Sequence, residues 1–313
     1  MFETPILMVL YNRPKETQRL FNVIRKVRPK KLYIAVDGAK NGQDQKRIDR
    51  VKRIVGKVDW TCETNYKENT SNLGCGKAVS QAINWFFENV EQGIILEDDC
   101  IPHKSFFEYC KIMLDKYKND DKVMMITGTN YNSELIKTNH FFSKIFPIWG
   151  WATWERAWNK YDYYMCDWDG KEIEEFKVNK LIDSYYKDTF NLIRNNEIDT
   201  WDIQWLYASL KNKGFCVTPK TNLITNIGLA GDHTKGGDKY NNMKTEGWDN
   251  IGSEDVKFIK QNKSYDYSIY RTLYFEIVLR MFKNTVKNVL GTNKLERSGL
   301  GNDMTENKDW WNI

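Results

Sequence analysis

The sequence lacks the features of a membrane-spanning, secreted or disulfide-stabilised protein. No stretch of its 313 residues approaches the roughly 18 uninterrupted apolar residues that a spanning helix needs. The amino-terminal segment Met1–Pro5 has no basic residues before its apolar run, so it does not predict a secretory signal. Six cysteines are too few for a disulfide scaffold in this chain, and they show no C-x-x-C spacing typical of zinc sites. These absences predict a cytoplasmic protein with reduced thiols.

Strong charge of one sign and the common phosphate-binding loops are also missing. The 47 basic and 42 acidic residues give a formal net charge of +5, which is too small to predict nucleic-acid binding. No G-x-G-x-x-G follows the first predicted strand, which argues against a dinucleotide oxidoreductase. Gly74–Ala78 resembles a P-loop only faintly, because Ser71 and Ala78 replace the required Gly and Ser/Thr.

Aromatic residues, by contrast, are abundant. They make up 14% of the chain and include 12 tryptophans, within an otherwise ordinary composition of 41% hydrophobic and 28% charged residues. Packing in the core accounts for many such rings, but the surplus also suits the binding of flat, amphipathic ligands such as sugars.

The first half of the chain alternates apolar runs with helical patterns, ending each run at a polar turn. This alternation predicts a mostly parallel, doubly wound α/β sheet with helices on both faces, whose ligands bind beyond the carboxyl ends of the strands. The predicted strands are Pro5–Leu10, Lys31–Val36, Trp60–Thr64, Gly93–Leu96 and Val123–Thr127. The predicted helices are Pro14–Val27, Gln45–Val55, one following Gly76, and Ser105–Tyr117.

The second half is less regular. It holds an aromatic loop region at His140–Trp168, predicted helices at Val178–Asn195 and Thr200–Lys213, a predicted strand at Phe215–Pro219 and a glycine-rich loop at Gly228–Gly237. We expect one domain over residues 1–240, with a nucleotide-sugar half (1–130) and an acceptor half (131–240). Residues 250–313 then form an amphipathic helix and a polar tail.

The acidic triplet Glu97-Asp98-Asp99 is the sharpest local signal. Three carboxylates at the end of a buried strand repel one another unless a cation compensates them, and Mg²⁺ and Mn²⁺ prefer oxygen ligands and often bridge to phosphates. The alternatives are a solvated acidic turn or a cap for the helix that follows Pro102.

Three further positions have a functional and an ordinary interpretation. Asp37 ends the second strand and can accept hydrogen bonds from a nucleotide, or simply form an Asp-Gly turn. Asp202, in the first turn of a predicted helix, can act as a general base or stabilise the helix dipole. His233, in Gly231–Gly237, can close over a metal or a diphosphate, or remain solvated.

Two aromatic segments stay similarly open. The run from Trp149 to Trp154 can contact a sugar or pack in the core. The helix Ser264–Leu290 places Tyr267, Tyr270, Tyr274, Ile277, Val278, Met281 and Phe282 opposite Arg280, Lys283 and Lys287. This pattern is typical of a helix at a membrane interface, and packing on the rest of the protein is the alternative.

The order of these motifs resembles GT-A glycosyltransferases of the bacterial family-2 type. It is also similar to the Golgi enzyme that adds N-acetylglucosamine to N-glycan mannose. The resemblance covers about Pro5 to Lys235, and each motif in it is short. The motifs are Tyr-Asn-Arg-Pro, Val-Asp-Gly, Asn-Leu-Gly, Glu-Asp-Asp, Trp-Gly-Trp-Ala-Thr-Trp, Trp-Asp-Ile-Gln-Trp and Gly-Asp-His-Thr, in that order along the chain.

The resemblance implies a GT-A (Rossmann-like) fold and a role for each matching residue. Asp202 would be the general base, Asp99 would bind Mn²⁺ or Mg²⁺, and His233 would contact the metal or the diphosphate. The residues implied in donor binding are Leu10, Tyr11, Arg13, Asp37, Asn72, Lys77, Glu97 and Asp98. We also expect acceptor contacts from Trp149, Trp151 and Trp201.

The function implied is an inverting, metal-dependent transfer from a UDP-sugar, with UDP-N-acetylglucosamine as one candidate donor. The acceptor would be a hydroxyl of a glycan or a lipid-linked saccharide in bacterial surface polysaccharide synthesis, at the inner face of the membrane if it is lipid-linked. Two alternatives stay open: a nucleotidyltransferase that makes sugar nucleotides, and a non-catalytic carbohydrate-binding protein that uses a tryptophan-rich surface.

Overall fold

The computed structural model describes residues 1–171, 173, 177–228, 243–249, 256 and 258–289, with the backbone alone at 276 and 280–289. The first half contains β1 (Ile6–Leu10), α1 (Pro14–Val27), β2 (Lys31–Val36), α2 (Gly42–Val55), β3 (Glu63–Glu68), α3 (Cys75–Phe87), β4 (Gln92–Glu97), β5 (Cys100–Pro102), α4 (Lys104–Tyr117) and β6 (Val123–Thr127). The second half contains β7 (His140–Ser143), β8 (Trp151–Trp154), α5 (Glu155–Trp158), α6 (Lys180–Arg194), α7 (Asp202–Lys211), β9 (Phe215–Pro219), β10 (Ile224–Asn226) and α8 (Lys263–Val289).

Local sequence explains where the first helices begin. Pro14 occupies the first turn of α1, where its missing N–H costs no hydrogen bond. The Asn41 side chain caps α2 by accepting hydrogen bonds from the backbone N–H groups of Gln43 and Asp44. Helix α1 begins four positions after the last residue of β1, and α2 begins six positions after the last residue of β2. The first turns of both helices thus lie at the same edge of the sheet.

An eight-stranded sheet forms the centre of the molecule, in the order β3-β2-β1-β4-β8-β6-β9-β7. The pairs β1–β2, β2–β3, β1–β4 and β6–β9 are parallel, whereas β8 runs antiparallel to both of its neighbours and β7 is antiparallel to β9. The predicted class, a mostly parallel α/β sheet with helices, is confirmed. Because β1, β2 and β4 run side by side in the same direction, their carboxyl ends meet at one edge.

Helices cover this sheet in two groups. Helix α1 packs against α2 and α4, while α3 packs against β1 and α5. The inward residues of the central strands are excluded from solvent, and Ile6, Leu7, Ile94 and Ile95 are all 0% exposed. This rigid core fixes the strand ends from which the polar residues project.

Several predicted elements need correction. The third strand lies at Glu63–Glu68 rather than Trp60–Thr64. Strands β7 and β8 lie in the segment predicted as aromatic loops, because apolar residues on both faces of a fully buried strand give no alternating pattern. Strand β10 pairs antiparallel with β5, and neither short strand was predicted.

The predicted halves share one sheet, since β7, β8 and β9 from the acceptor half join β6 and β4. Helix α8 begins at Lys263 and packs against α6 and β7. Within the described residues, no helix is both long and apolar enough to cross a membrane.

Candidate active site

A pocket of about 460 Å³ lies at the carboxyl ends of β1, β2 and β4. The first turns of α1 and α3 and one side of α2 complete its walls. Of the eight residues implied in donor binding, seven line it: Leu10, Tyr11, Arg13, Asp37, Asn72, Glu97 and Asp98. Lys77 is not among the lining residues and is exposed on α3. The structure thus brings together residues that lie up to 88 positions apart in the sequence (Leu10 to Asp98).

Asp37 organises the loop that precedes α3. Its carboxylate accepts hydrogen bonds from the side-chain amides of Asn69 (3.0 Å) and Asn72 (2.8 Å) and from the backbone N–H of Leu73 (3.2 Å). A carboxylate offers about four acceptor positions, so these three donors leave room for about one hydrogen bond from a ligand. Asp37 therefore lines the pocket and also holds Asn72, a second residue of its wall, in position.

Tyr11 and Asn12 are held by a residue that the sequence did not single out. The Asp44 carboxylate, in the first turn of α2, accepts hydrogen bonds from the Tyr11 hydroxyl (3.0 Å) and the Asn12 amide (2.8 Å). Burial and the neighbouring Asp44 raise the pKa of Tyr11 to about 12, so the phenol stays neutral. Asp44 fixes the end of β1 at the mouth of the pocket.

The acidic triplet is not a solvated turn. Asp98 is 5% exposed, and Arg13 donates from Nη1 to Asp98 Oδ1 (3.3 Å) and to Asp99 Oδ2 (2.7 Å). Burial opposes the charge of Arg13, but the neighbouring Asp98 and Asp99 hold its pKa above the ordinary value. One guanidinium thus contacts two carboxylates.

Arg13 does not fully compensate the triplet. Burial, followed by the charges of Asp99 and Asp98, raises the pKa of Glu97. Burial also raises the pKa of Asp98, with Arg13 opposing and Asp99 adding to the effect. Ionisation of all three carboxylates is therefore unfavourable at this strand end beside Arg13 alone, and binding of a proton or a further cation is favoured.

The triplet fits a hard divalent ion only in part. Asp98 and Asp99 converge on a single cationic position, and carboxylate oxygens are the ligands that Mg²⁺ and Mn²⁺ prefer. Within the described residues no group of three acidic, histidine or cysteine side chains is arranged to hold a metal. Because such ions are commonly held by one or two carboxylates plus substrate phosphates, the residues present suit a site that a diphosphate completes. His233 lies outside the described residues.

Asp202 begins α7 and is 8% exposed. Burial raises its pKa to about 6, although a hydrogen bond from the Thr200 hydroxyl and backbone N–H groups lower it. The charge of Asp202 contributes to the raised pKa of Glu97, after burial and the triplet's own charges, so the two carboxylates lie within electrostatic range. A buried carboxyl with a pKa near neutrality can accept a proton at physiological pH.

The tryptophans predicted to contact the acceptor lie in the core. Trp149, Trp151 and Trp201 are 4%, 0% and 2% exposed, and the Trp151 and Trp201 rings stack with centroids 5.7 Å apart. None of the three presents a face on which a sugar could stack. Two half-buried tyrosines, Tyr185 and Tyr186, line a separate cavity of about 50 Å³ together with Asp202.

A basic rim on the pocket was also missed as a site feature. Lys40 precedes α2, Arg47 and Arg50 lie on it, and all three line the pocket. The spacing of Arg47 and Arg50 (i, i+3) places both on one helix face, and this pattern could have been used to identify them. These charges favour an anionic ligand.

No family model and no curated protein matches this chain. Among solved structures, HddC from Yersinia pseudotuberculosis complexed with GMP-PN is similar over 40% of this chain, with 12% identity and a TM-score of 0.28. That match spans 57% of HddC, a little over half of its length. UDP-glucose pyrophosphorylase complexed with UDP-glucose matches 69% of this chain and 89% of its own, at 8% identity and a TM-score of 0.34. The galactosyltransferase LgtC, in complex with donor and acceptor sugar analogs, matches 68% and 72%, at 7% identity and a TM-score of 0.35. Likeness at this level assigns no function to the chain.

Proposed function

We propose that this chain is an inverting, metal-dependent glycosyltransferase that moves a sugar from a UDP-sugar to an acceptor hydroxyl. The observation that carries the proposal is a polar pocket whose wall includes the acidic strand end Glu97-Asp98, with the buried carboxyl of Asp202 close enough to raise the pKa of Glu97. The proposed acceptor is a glycan or lipid-linked saccharide, and the proposed location is the cytoplasm, at the inner membrane face if the acceptor is lipid-linked.

The donor would occupy the 460 Å³ pocket. Leu10, Tyr11 and Asp37 lie where β1 and β2 end and would contact the uridine, with Asn72 beside them. Glu97 and Asp98 lie where β4 ends and would hold the ribose or the sugar. Arg13 and the rim residue Lys40 offer positive charge for the diphosphate.

Asp99, together with diphosphate oxygens, would hold Mn²⁺ or Mg²⁺. When bound, such an ion neutralises negative charge on the leaving diphosphate. Arg13 already contacts Asp98 and Asp99, so the protein itself supplies part of the positive charge that these carboxylates need. If a metal ion took that place, the Arg13 guanidinium would contact the diphosphate instead. His233 is a proposed further contact and lies outside the described residues.

Asp202 would supply the base. Its carboxylate would take the proton of the acceptor hydroxyl as the acceptor oxygen forms a bond to the anomeric carbon. The bond from that carbon to the diphosphate oxygen breaks on the opposite face, and its electron pair leaves with UDP. One displacement inverts the configuration, so an α-linked donor gives a β-linked product.

The first test is metal-dependent binding of UDP, measured by calorimetry with Mn²⁺ and with a chelator. We expect binding to weaken at least about tenfold when the metal is removed, because the triplet then repels the diphosphate. In Asp99→Ala the metal dependence should disappear. Asp169→Ala, which removes an exposed carboxylate that pairs with Lys171 in a surface contact, is the matched control and should retain it. Equal UDP affinity with and without chelator in the wild-type protein would reject the metal site.

Product analysis separates the enzymatic alternatives. A glycosyltransferase releases UDP from a UDP-sugar, whereas a nucleotidyltransferase releases pyrophosphate as it makes one. The carbohydrate-binding alternative depended on surface tryptophans, and among the described residues no tryptophan is exposed. A screen of UDP-sugars by thermal stabilisation, followed by release of UDP, would identify the donor.

A further inference from the structure

The Asp199 carboxylate lies on the first turn of a helix that is distant in the sequence. Asp199 belongs to the connection between α6 and α7, three positions before Asp202. The backbone N–H of Gly76, in the first turn of α3, donates to Asp199 Oδ1 (3.1 Å), and the Tyr163 hydroxyl donates to the same oxygen (3.2 Å). Gly74, the cap residue of α3, has no side chain with which to cap the helix. Asp199 therefore caps α3 from the other half of the molecule.

The two glycines at this helix start leave room for that contact. A Cβ atom at Gly74 would lie 2.4 Å from Asp199 Oδ2, and a Cβ atom at Gly76 would lie 2.5 Å from Asp199 Oδ1 and 2.6 Å from the Thr200 carbonyl oxygen. Gly74 also has a φ of +83°, which residues with a side chain rarely adopt. The faint likeness of Gly74–Ala78 to a phosphate loop thus has a structural meaning: a carboxylate of the protein occupies the helix start.

The same contact joins the donor pocket to Asp202. The Asn72 side chain donates to Asp37 Oδ2 (2.8 Å) and accepts from the backbone N–H of Gly74 (3.2 Å). On the other side of the contact, the Thr200 hydroxyl donates to Asp202, and the Gln204 amide donates to the Thr200 carbonyl (2.7 Å). Hydrogen bonds and close packing therefore connect Asp37 and Asn72 in the wall of the donor pocket to Asp202, the proposed base.

We propose that Asp199 is a positioning residue that latches the connection carrying Asp202 onto α3. The contact between Asp199 and α3 fixes the distance between Asp202 and the donor pocket. This inference rests on the proposed role of Asp202 as the base. Asp199 itself is held by Gly76 and Tyr163, so its contribution is to geometry and not to proton transfer. A displacement of about 1 Å in a reacting group can lower turnover about 100-fold, so the position of the connection matters for rate.

The test compares Asp199→Ala and Asp199→Asn with the matched control Glu197→Gln. Glu197 is an exposed carboxylate in the same connection and pairs with the Asn195 amide. Asp199→Ala should lower kcat for transfer at least about tenfold, leaving the UDP-sugar Kd within about twofold, because Asp199 is not among the residues that line the donor pocket. Asp199→Asn keeps an oxygen that accepts from Gly76 and should recover part of the loss. Glu197→Gln should behave as wild type.

A double-mutant cycle with Gly76→Ala checks the contact itself. The added methyl group should displace the connection, so Gly76→Ala alone should lower kcat, and its effect in an Asp199→Ala background should be at least about threefold smaller. Thermal unfolding of the same four proteins should show the same non-additivity without any activity being measured. Wild-type kcat in Asp199→Ala, or strictly additive effects in both measurements, would overturn the proposal. Failure of the proposed function appears separately, as no release of UDP from any UDP-sugar by the wild-type protein, and failure of Asp202 as the base appears as undiminished turnover in Asp202→Asn.

Discussion

Asp202 is a carboxylate that is almost fully buried. Near neutral pH a hydroxyl is a poor nucleophile, and a positioned carboxylate that accepts its proton typically contributes about 10²–10⁴-fold to the rate. Asp202→Asn preserves the size of the side chain and an acceptor for the Thr200 hydroxyl, but it cannot take the proton. Transfer should therefore fall by about that factor while UDP-sugar affinity changes little. A folded Asp202→Asn protein that turns over at the wild-type rate would exclude Asp202 as the base.

The pH dependence of the wild-type protein follows from the same residue. Burial raises the pKa of Asp202 to about 6, and only the deprotonated carboxylate can act as a base. Transfer should fall as pH decreases through about 6, and the residual activity of Asp202→Asn should lack this limb. The check is kcat measured across pH with saturating donor, with Glu197→Gln as a control that should keep the limb.

The raised pKa of Asp202 also makes the free energy of unfolding depend on pH. The folded state binds a proton on Asp202 more tightly than the unfolded state does, with a pKa of about 6 against an ordinary 3.8. The charged form is thus disfavoured by folding, and the protein loses stability as pH rises through this window. Relative to Asp202→Asn, the wild-type free energy of unfolding should fall by up to about 3 kcal/mol between about pH 4 and about pH 8. Denaturant unfolding at the two pH values measures it, and a difference that is independent of pH would contradict it.

Sequence patterns located the residues whose signal is local. Glu97, Asp98 and Asp99 follow an apolar run, and Asp37 does the same, so their place at the sheet edge was predictable from β-strand direction. Asp44 and Asp199 were not identified as site residues because their meaning depends on partners 33 and 123 positions away. The acceptor tryptophans illustrate the opposite error: an aromatic cluster looks alike in sequence whether it is exposed or buried.

At the scale of the secondary-structure elements, α8 has two apolar faces with different surroundings. Tyr270 and Ile277, which the sequence placed on a membrane-facing side, are buried against the rest of the protein at 5% and 7% exposure. Tyr267, which the sequence placed on that same side, is 66% exposed, and Phe275 and Leu279 are 56% and 58% exposed. Packing therefore accounts for one face and leaves an exposed apolar stripe on another.

This exposed stripe is the surface with which we expect α8 to contact a membrane. Together with the basic residues later in the helix, it should bind vesicles containing anionic lipid, and the binding should weaken as salt shortens the Debye length from about 30 Å at 0.01 M to about 8 Å at 0.15 M. The double variant Phe275→Ser/Leu279→Ser should co-sediment less than wild type. Tyr66→Ser, which changes an exposed aromatic residue on β3, is the control. If the protein does not co-sediment with anionic vesicles at low salt, the predicted membrane contact is wrong.

Elements differed in how well the sequence predicted them. The strands β1, β2 and β4 and the helices α1 and α4 were placed nearly as observed, because short apolar runs and proline or glycine punctuation mark their ends. Strand β8 was missed because Trp151–Trp154 is buried on both faces and carries no alternation. Its antiparallel direction in a mostly parallel sheet depends on its neighbours β4 and β6, which are distant in the sequence.

At the scale of the whole molecule, the donor and acceptor halves are parts of one sheet. Strand β8 comes from the acceptor half and lies between β4 and β6 of the donor half. The strands that end at the proposed donor pocket and the strands of the acceptor half therefore belong to one hydrogen-bonded sheet, and the Asp199 contact is a second connection between the halves. A hinge between the halves would have to break strand pairing, so movements needed for binding belong to loops at the sheet edge.

The placement of β8 has a consequence for how the chain is made. On the ribosome, β1 to β4 emerge first and can pair in the order β3-β2-β1-β4, but the outer edge of β4 gains its neighbour only after Trp151–Trp154 has been synthesised. Strand β6 emerges earlier, but in the finished sheet it pairs with β8 rather than with β4. Until then the nascent chain carries an open edge on one of its most apolar strands, where Ile94, Ile95 and Leu96 are fully buried in the finished protein. A fragment that stops near residue 130 would lack β8, so we expect the outer edge of β4 to stay unpaired and the fragment to be less soluble than the whole chain.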